Sequence, residues 1–112
     1  MSSVASPALG GGAVNRPCGY AQHTVTTTVK NLDDTPTTGK RLSQCEGVPM
    51  RAIIQAETQG IRWTDDEDVA PTAAIGMLIP LGTTLEYDGD LTMFRFINAV
   101  AGAVLNISFY NS

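Results

Sequence analysis

The strongest constraint on the fold is the alternation of short β-forming runs with turn-forming residues along most of the chain. In the last run, residues 103–110, apolar and polar side chains alternate, which places Leu105, Ile107 and Phe109 on one face of a strand. About seven such runs, at intervals of roughly ten residues, indicate a β-sandwich or small barrel. No segment has a convincing helical pattern, so the sequence predicts an all-β fold.

Earlier runs predict the other strands. Residues 22–30 are rich in Thr and Val, and Val25 and Val29 are expected to turn inward. A Gly-containing turn separates residues 50–57 from residues 61–64, which predicts a hairpin. The sequence Asp-Gly-Asp at residues 88–90 predicts another tight turn. The remaining predicted strands cover residues 74–81, 84–87 and 92–97.

The chain divides into an arm and one domain. Its 112 residues leave little room for a second core. Residues 1–19 are rich in Gly, Ala, Ser and Pro and have little to bury, so we expect a flexible N-terminal arm. Hydrophobic residues make up 43% of the chain, which is enough to pack a core. Residues 20–112 are therefore predicted to form the sandwich domain.

The charge balance argues against two classes of partner. Eleven acidic residues against seven Lys and Arg give a net charge of −4, whereas proteins that neutralise phosphates are basic, so no nucleic-acid partner is expected. No apolar run approaches the roughly 20 residues that span a bilayer, so no membrane partner is expected. The N-terminus also lacks the pattern of a secretory signal, which predicts a soluble protein made in the cytoplasm.

Nothing in the sequence predicts catalysis. His23 is the single histidine, too few for the ligand set of a zinc or cupin-type enzyme, and it is expected to face solvent or to be hydrogen-bonded. The triplet at residues 10–12 is Gly-Gly-Gly but lacks the Lys-Ser/Thr of a phosphate loop. We therefore expect no enzyme activity, no cofactor and no metal ion.

An ordered series of short motifs points to a family. From residue 48 onward the chain reads RAIIQAE, a turn, IRWT with acidic residues, APTA followed by GM, LEYDGDL, RFI and a closing GAVLNISFY. With TGKRL at residues 38–42, this series resembles a group of short bacteriophage and prophage virion proteins. The chain departs from their pattern at residues 65–68, where Asp-Asp-Glu-Asp replaces the expected Asp-Asp-Gly.

The resemblance implies a jelly-roll-like β-sandwich displayed on a virion. Its function would be that of a capsid decoration (cement) protein, or of a tail, neck or fibre-associated component. Such proteins commonly assemble as homo-oligomers, often trimers, on the major capsid protein or other virion proteins. The expected location is thus the virion, assembled in the bacterial cytoplasm.

Several side chains are candidates for packing or for subunit interfaces. Large aromatic residues contribute much contact area, and the neighbouring arginine points to the opposite face of its strand. These candidates are Trp63, Arg62, Tyr87, Phe94 and Phe109. Arg62 and Arg95 are expected to pair with Glu57 or Glu86 across the sheet.

Two further features have open interpretations. The acidic run Asp65, Asp66, Glu67 and Asp68 is a candidate Ca²⁺ loop, although a solvated acidic turn is the simpler interpretation. Cys18 and Cys45 can pair in a virion outside the cell but would remain thiols in the cytoplasm.

A different class of function is also open, that of a ligand- or carbohydrate-binding β-sandwich. It would need exposed aromatic side chains in a row. The aromatic residues that could supply such a row are Trp63, Tyr20, Tyr87 and Tyr110.

Overall fold

A computed structural model describes residues 16–111 of the chain. Within that range it contains nine β-strands and two 3₁₀ turns, Leu42–Gln44 and Leu91–Met93. The strands are β1 Arg16–Thr24, β2 Lys30–Asn31, β3 Thr38–Gly39, β4 Pro49–Glu57, β5 Ile61–Thr64, β6 Met77–Ile79, β7 Thr84–Tyr87, β8 Arg95–Asn98 and β9 Val104–Asn111.

The strands of residues 16–111 form two antiparallel sheets. The five-stranded sheet has the order β3-β1-β9-β4-β7, and the four-stranded sheet has the order β2-β8-β5-β6. Without the short β3, these are the strand orders of a jelly roll, in which paired strands wrap between two sheets. The predicted jelly-roll-like β-sandwich is confirmed.

The core lies between the sheets and follows the predicted alternation. Leu105, Ile107 and Phe109 of β9 are fully buried, as the closing strand predicts. On β4 the alternate residues 52, 54 and 56 are also fully buried, and the register pairs Ile54 with Ile107. Phe96, on β8 of the opposite sheet, is buried in the same core. Period-two patterning thus identifies the inward face of both long central strands.

The predicted hairpin of residues 50–57 and 61–64 is wrong. β4 pairs with β7 and β9, whereas β5 pairs with β6 and β8, so the turn at residues 58–60 carries the chain from one sheet to the other. Thr58 adopts φ of 68° there and donates a hydrogen bond to the carbonyl oxygen of Gly102. The turn at residues 88–90 likewise joins β7 to β8 of the opposite sheet. Turn-forming residues reverse the chain equally well within a sheet and between sheets.

The first strand lies earlier than predicted. β1 begins at Arg16 and ends at Thr24, so residues 16–19 of the predicted arm are part of the sheet. Residues 1–15 of the arm lie outside the described residues. Val25 is buried as predicted, but Val29 lies beyond a bend and is only half-buried.

Candidate functional site

Four of the five packing or interface candidates form an internal aromatic cluster or lie in the core. Trp63 stacks on Phe94 with ring centroids 4.9 Å apart, and Tyr87 meets Phe94 edge-on at 5.0 Å. Phe94 and Phe109 are fully buried, and Tyr87 nearly so. These side chains therefore stabilise the domain itself, while half-buried Trp63 closes one side of the cluster.

The acidic loop is fixed by hydrogen bonds from the domain. The Tyr87 hydroxyl donates to Oδ2 of Asp65 at 2.9 Å, and burial together with this bond raises the pKa of Tyr87. Arg95 donates to the carbonyl oxygens of Asp66 and Glu67, at 2.7 and 3.3 Å. In the part of the chain that the structure describes, no three His, Cys, Asp or Glu side chains are grouped to hold a metal ion.

The predicted pairing of Arg62 and Arg95 with acidic side chains is wrong. Arg62 donates to the carbonyl oxygens of Ala73 and Gly76, at 3.3 and 3.1 Å, and thereby holds the segment before β6 against the sheet. Glu86 pairs instead with Arg51 at 3.5 Å. Arg62 and Arg95 thus donate hydrogen bonds to carbonyl oxygens of loops. Their strands lie next to β6 and the acidic loop at residues 65–68, rather than next to β4 and β7.

His23 is also placed differently from the prediction. Its side chain is 1% exposed, and neither ring nitrogen has a hydrogen-bond partner within residues 16–111. The ring meets Phe96 edge-on, with centroids 5.0 Å apart. Burial, aided by the charge of Lys30 and opposed by that of Asp34, lowers the pKa of His23 to about 4.

We expect His23 to make the folded chain sensitive to mild acid. The unfolded chain binds a proton at His23 near pH 6.5, whereas the folded chain resists protonation until about pH 4. The free energy of unfolding therefore falls as the pH drops through this window, by on the order of 2–3 kcal/mol. Urea unfolding of the wild type and of His23→Leu at several pH values measures this loss. Parallel pH profiles for the two proteins would contradict the assignment to His23.

Cys18 and Cys45 form a disulfide, with Cα atoms 5.2 Å apart. Cys18 lies at the β-bulge between Pro17 and Gly19, where the pairing of β1 with β9 shifts register. Cys45 ends the first 3₁₀ turn and is buried. The bond ties the start of the sandwich to the irregular connection before β4.

The outer face of the five-stranded sheet carries a polar network. Oδ1 of Asn106 accepts hydrogen bonds from Tyr20 at 2.7 Å and from Gln22 at 3.0 Å. Nδ2 of Asn106 donates to Glu57 at 2.8 Å. The side chains of this face thus satisfy one another across three strands. A carbohydrate-binding face would need a row of exposed aromatic side chains. Trp63 and Tyr87 pack inward, so two of the four candidate residues, Tyr20 and Tyr110, are left for such a row.

A groove of about 660 Å³ lies near the two 3₁₀ turns. Its apolar lining includes Val48 and Met50, and its carboxylates include Asp33 and Asp90. Hydrogen bonds from the side chain and the backbone N–H of Ser43 lower the pKa of Asp33. Asp90 likewise caps the second 3₁₀ turn. Both carboxylates therefore have structural roles at the turns.

The largest run of exposed apolar side chains surrounds β6. The predicted strand at 74–81 is wrong in length, because the sheet includes Met77–Ile79 alone. Four large apolar side chains of this run are exposed, and we call them the β6 surface: Ile75 (53%), Met77 (62%), Leu78 (48%) and Leu81 (59%). Exposed apolar groups clustered on one edge are typical of contact surfaces.

The β6 edge differs from the other sheet edges within residues 16–111. The β2 edge carries Lys30, the β7 edge carries Glu86, and Lys40 follows the β3 edge directly. Charged side chains at an edge oppose pairing with another chain. No charged residue occurs from position 69 to position 85, which includes β6. The sequence signal for this surface is the long uncharged stretch, which the predicted strand at residues 74–81 did not take into account.

Comparisons with known proteins do not assign a function to these surfaces. No protein-family model matches the chain, and no curated protein and no solved structure was found to be similar to it. Within residues 16–111, no helix is long and apolar enough to cross a membrane. The surfaces of the sandwich and the motif series in the sequence are therefore the features that bear on function.

Proposed function

We propose that this chain is a structural protein of a tailed bacteriophage virion, a capsid decoration (cement) protein that binds and stabilises the shell. The observation that carries the proposal is the β6 surface, an uncharged apolar edge on a cross-linked sandwich. The motif series at residues 48–110, which resembles short virion proteins, names the class. The protein acts through contacts, without a chemical step and without a cofactor.

The shape of the domain suits this role. A sandwich whose aromatic cluster and disulfide hold it rigid loses little conformational entropy when it docks, so more of its contact energy appears as affinity. Repetition of the contact at symmetry-related positions on a shell multiplies weak individual contacts. On such a shell, the β6 surface meets either a shell subunit or another copy of the chain.

Mass spectrometry of purified phage particles tests the proposal. We expect the chain in particles, in a copy number comparable with that of the major shell protein, because decoration sites repeat with the shell lattice. Particles produced without the chain should assemble but release their nucleic acid at a lower temperature. Absence of the chain from intact particles would contradict the proposal.

A few copies per particle would favour the second candidate within the virion, a tail, neck or fibre-associated component. The carbohydrate-binding alternative has less support. Tyr20 is engaged by Asn106, and Tyr110 lies under the guanidinium of Arg51 at 5.4 Å, which leaves no open aromatic row on that face of residues 16–111.

A further inference from the structure

We infer that the β6 surface is a self-association site, at which two copies of the chain pair their β6 edges antiparallel about a two-fold axis. The inference deepens the proposed function and rests on it, since it names the partner of that surface. Two properties of the edge support it, the absence of charge and the symmetry of the sequence, and the position of a proline sets the length of the pairing.

The absence of charge at this edge favours a second copy as the occupant. The chain carries a net charge of −4, so two copies repel one another when their acidic loops face each other. The edges formed by β2, β3 and β7 carry or adjoin Lys30, Lys40 and Glu86, so a two-fold pairing there would place like charges near one another. Within residues 16–111, the β6 edge is the sheet edge that can meet its own copy without opposing like charges.

The sequence of the edge is self-complementary about Leu78. In an antiparallel pair centred on Leu78, that residue meets its own copy and Met77 meets Ile79. All three residues of the strand then face apolar side chains, and the exposed Ile75 and Leu81 flank the paired residues. A two-fold contact requires this kind of self-complementary patch.

Proline limits the length of the pairing. Pro80 has no N–H to donate and directly follows β6, so the shared ladder is restricted to about three residues. Most of the association must then come from side-chain burial. A short ladder between copies in solution gives a reversible dimer, which the repeated array of a shell would reinforce.

The test measures the mass of the full chain in solution by sedimentation and light scattering. We expect a concentration-dependent dimer of the 11.8 kDa chain. Leu78→Lys should raise the dissociation constant by at least about 100-fold, because it opposes two like charges at the two-fold axis. Met50→Lys is the matched control, since Met50 is 51% exposed within a strand of the other sheet, and it should leave the dimer unchanged. Circular dichroism checks that both variants fold.

A cysteine variant tests the register. Opposed residues of an antiparallel pair lie within disulfide distance. Leu78→Cys should therefore form a cross-linked dimer on mild oxidation, whereas Leu81→Cys, which lies beyond the paired residues, should cross-link far more slowly. A wild-type chain that stays monomeric, a trimer, or equal cross-linking of both variants would overturn the inference. A monomer that is nevertheless abundant in particles would leave the proposed function standing, and a dimer absent from particles would contradict the function alone.

Discussion

Phe109→Ala is expected to lower the free energy of unfolding by roughly 3–5 kcal/mol. Phe109 is fully buried on β9, the central strand of the five-stranded sheet. Its register partner on β4 is Ala52, which is too small to fill the space that the ring would leave. The lost burial and the remaining cavity therefore both destabilise the fold.

Ser108→Ala provides the matched control for Phe109. Ser108 is the adjacent residue on β9, half-buried on the outer face opposite Ile53. Its substitution should change the free energy of unfolding by less than about 1 kcal/mol. Chemical denaturation of both variants makes the comparison. Equal costs for the two substitutions would contradict the burial of Phe109 on the inward face, and a larger cost for Ser108→Ala would indicate a shift of one residue in register.

The sequence was sufficient to predict which face of the last strand is buried. Period-two alternation depends on local chain geometry, so the inward side chains of residues 105–109 could be predicted without knowledge of the neighbouring strands. It could not predict which strands pair. The turn at residues 58–60 has the composition of a hairpin loop, yet it joins two sheets, because the choice between the two depends on distant strands.

The same limit explains why the β6 surface could not be predicted from the sequence. An apolar run such as residues 74–81 has the composition of a buried strand, and its exposure follows from the position of β6 at the end of a sheet. The burial of His23 likewise depends on Phe96, which lies far away in the sequence. The charged residues of each strand can be counted in the sequence. The sequence does not show which strands lie at the edges of the sheets, so the uncharged edge could not be identified from that count.

Removal of the disulfide is the second large effect that we expect. Cys18 and Cys45 are separated by 27 positions, and the loop that they close restricts the unfolded chain. The loss of that restriction is worth about 3–4 kcal/mol by chain entropy. The described connection between β3 and β4 contains no strand and has one short 3₁₀ turn. The cross-link attaches it to the sheet together with the hydrogen bond that Asn111 of β9 donates to the carbonyl oxygen of Glu46.

The double variant Cys18→Ala with Cys45→Ala should therefore unfold at a lower temperature, by roughly 4–8 °C for each kcal/mol lost. Hydrogen exchange should accelerate most at residues 40–48. The amides of the central strands β4 and β9 should stay better protected than those of that segment. A reducing agent should destabilise the wild type by a similar amount and leave the double variant unchanged, which separates the covalent link from any effect of the substitutions on packing. If reduction leaves the wild type as stable as before, the bond contributes nothing to the fold, and the packing of Cys45 beneath the 3₁₀ turn is sufficient to hold this connection.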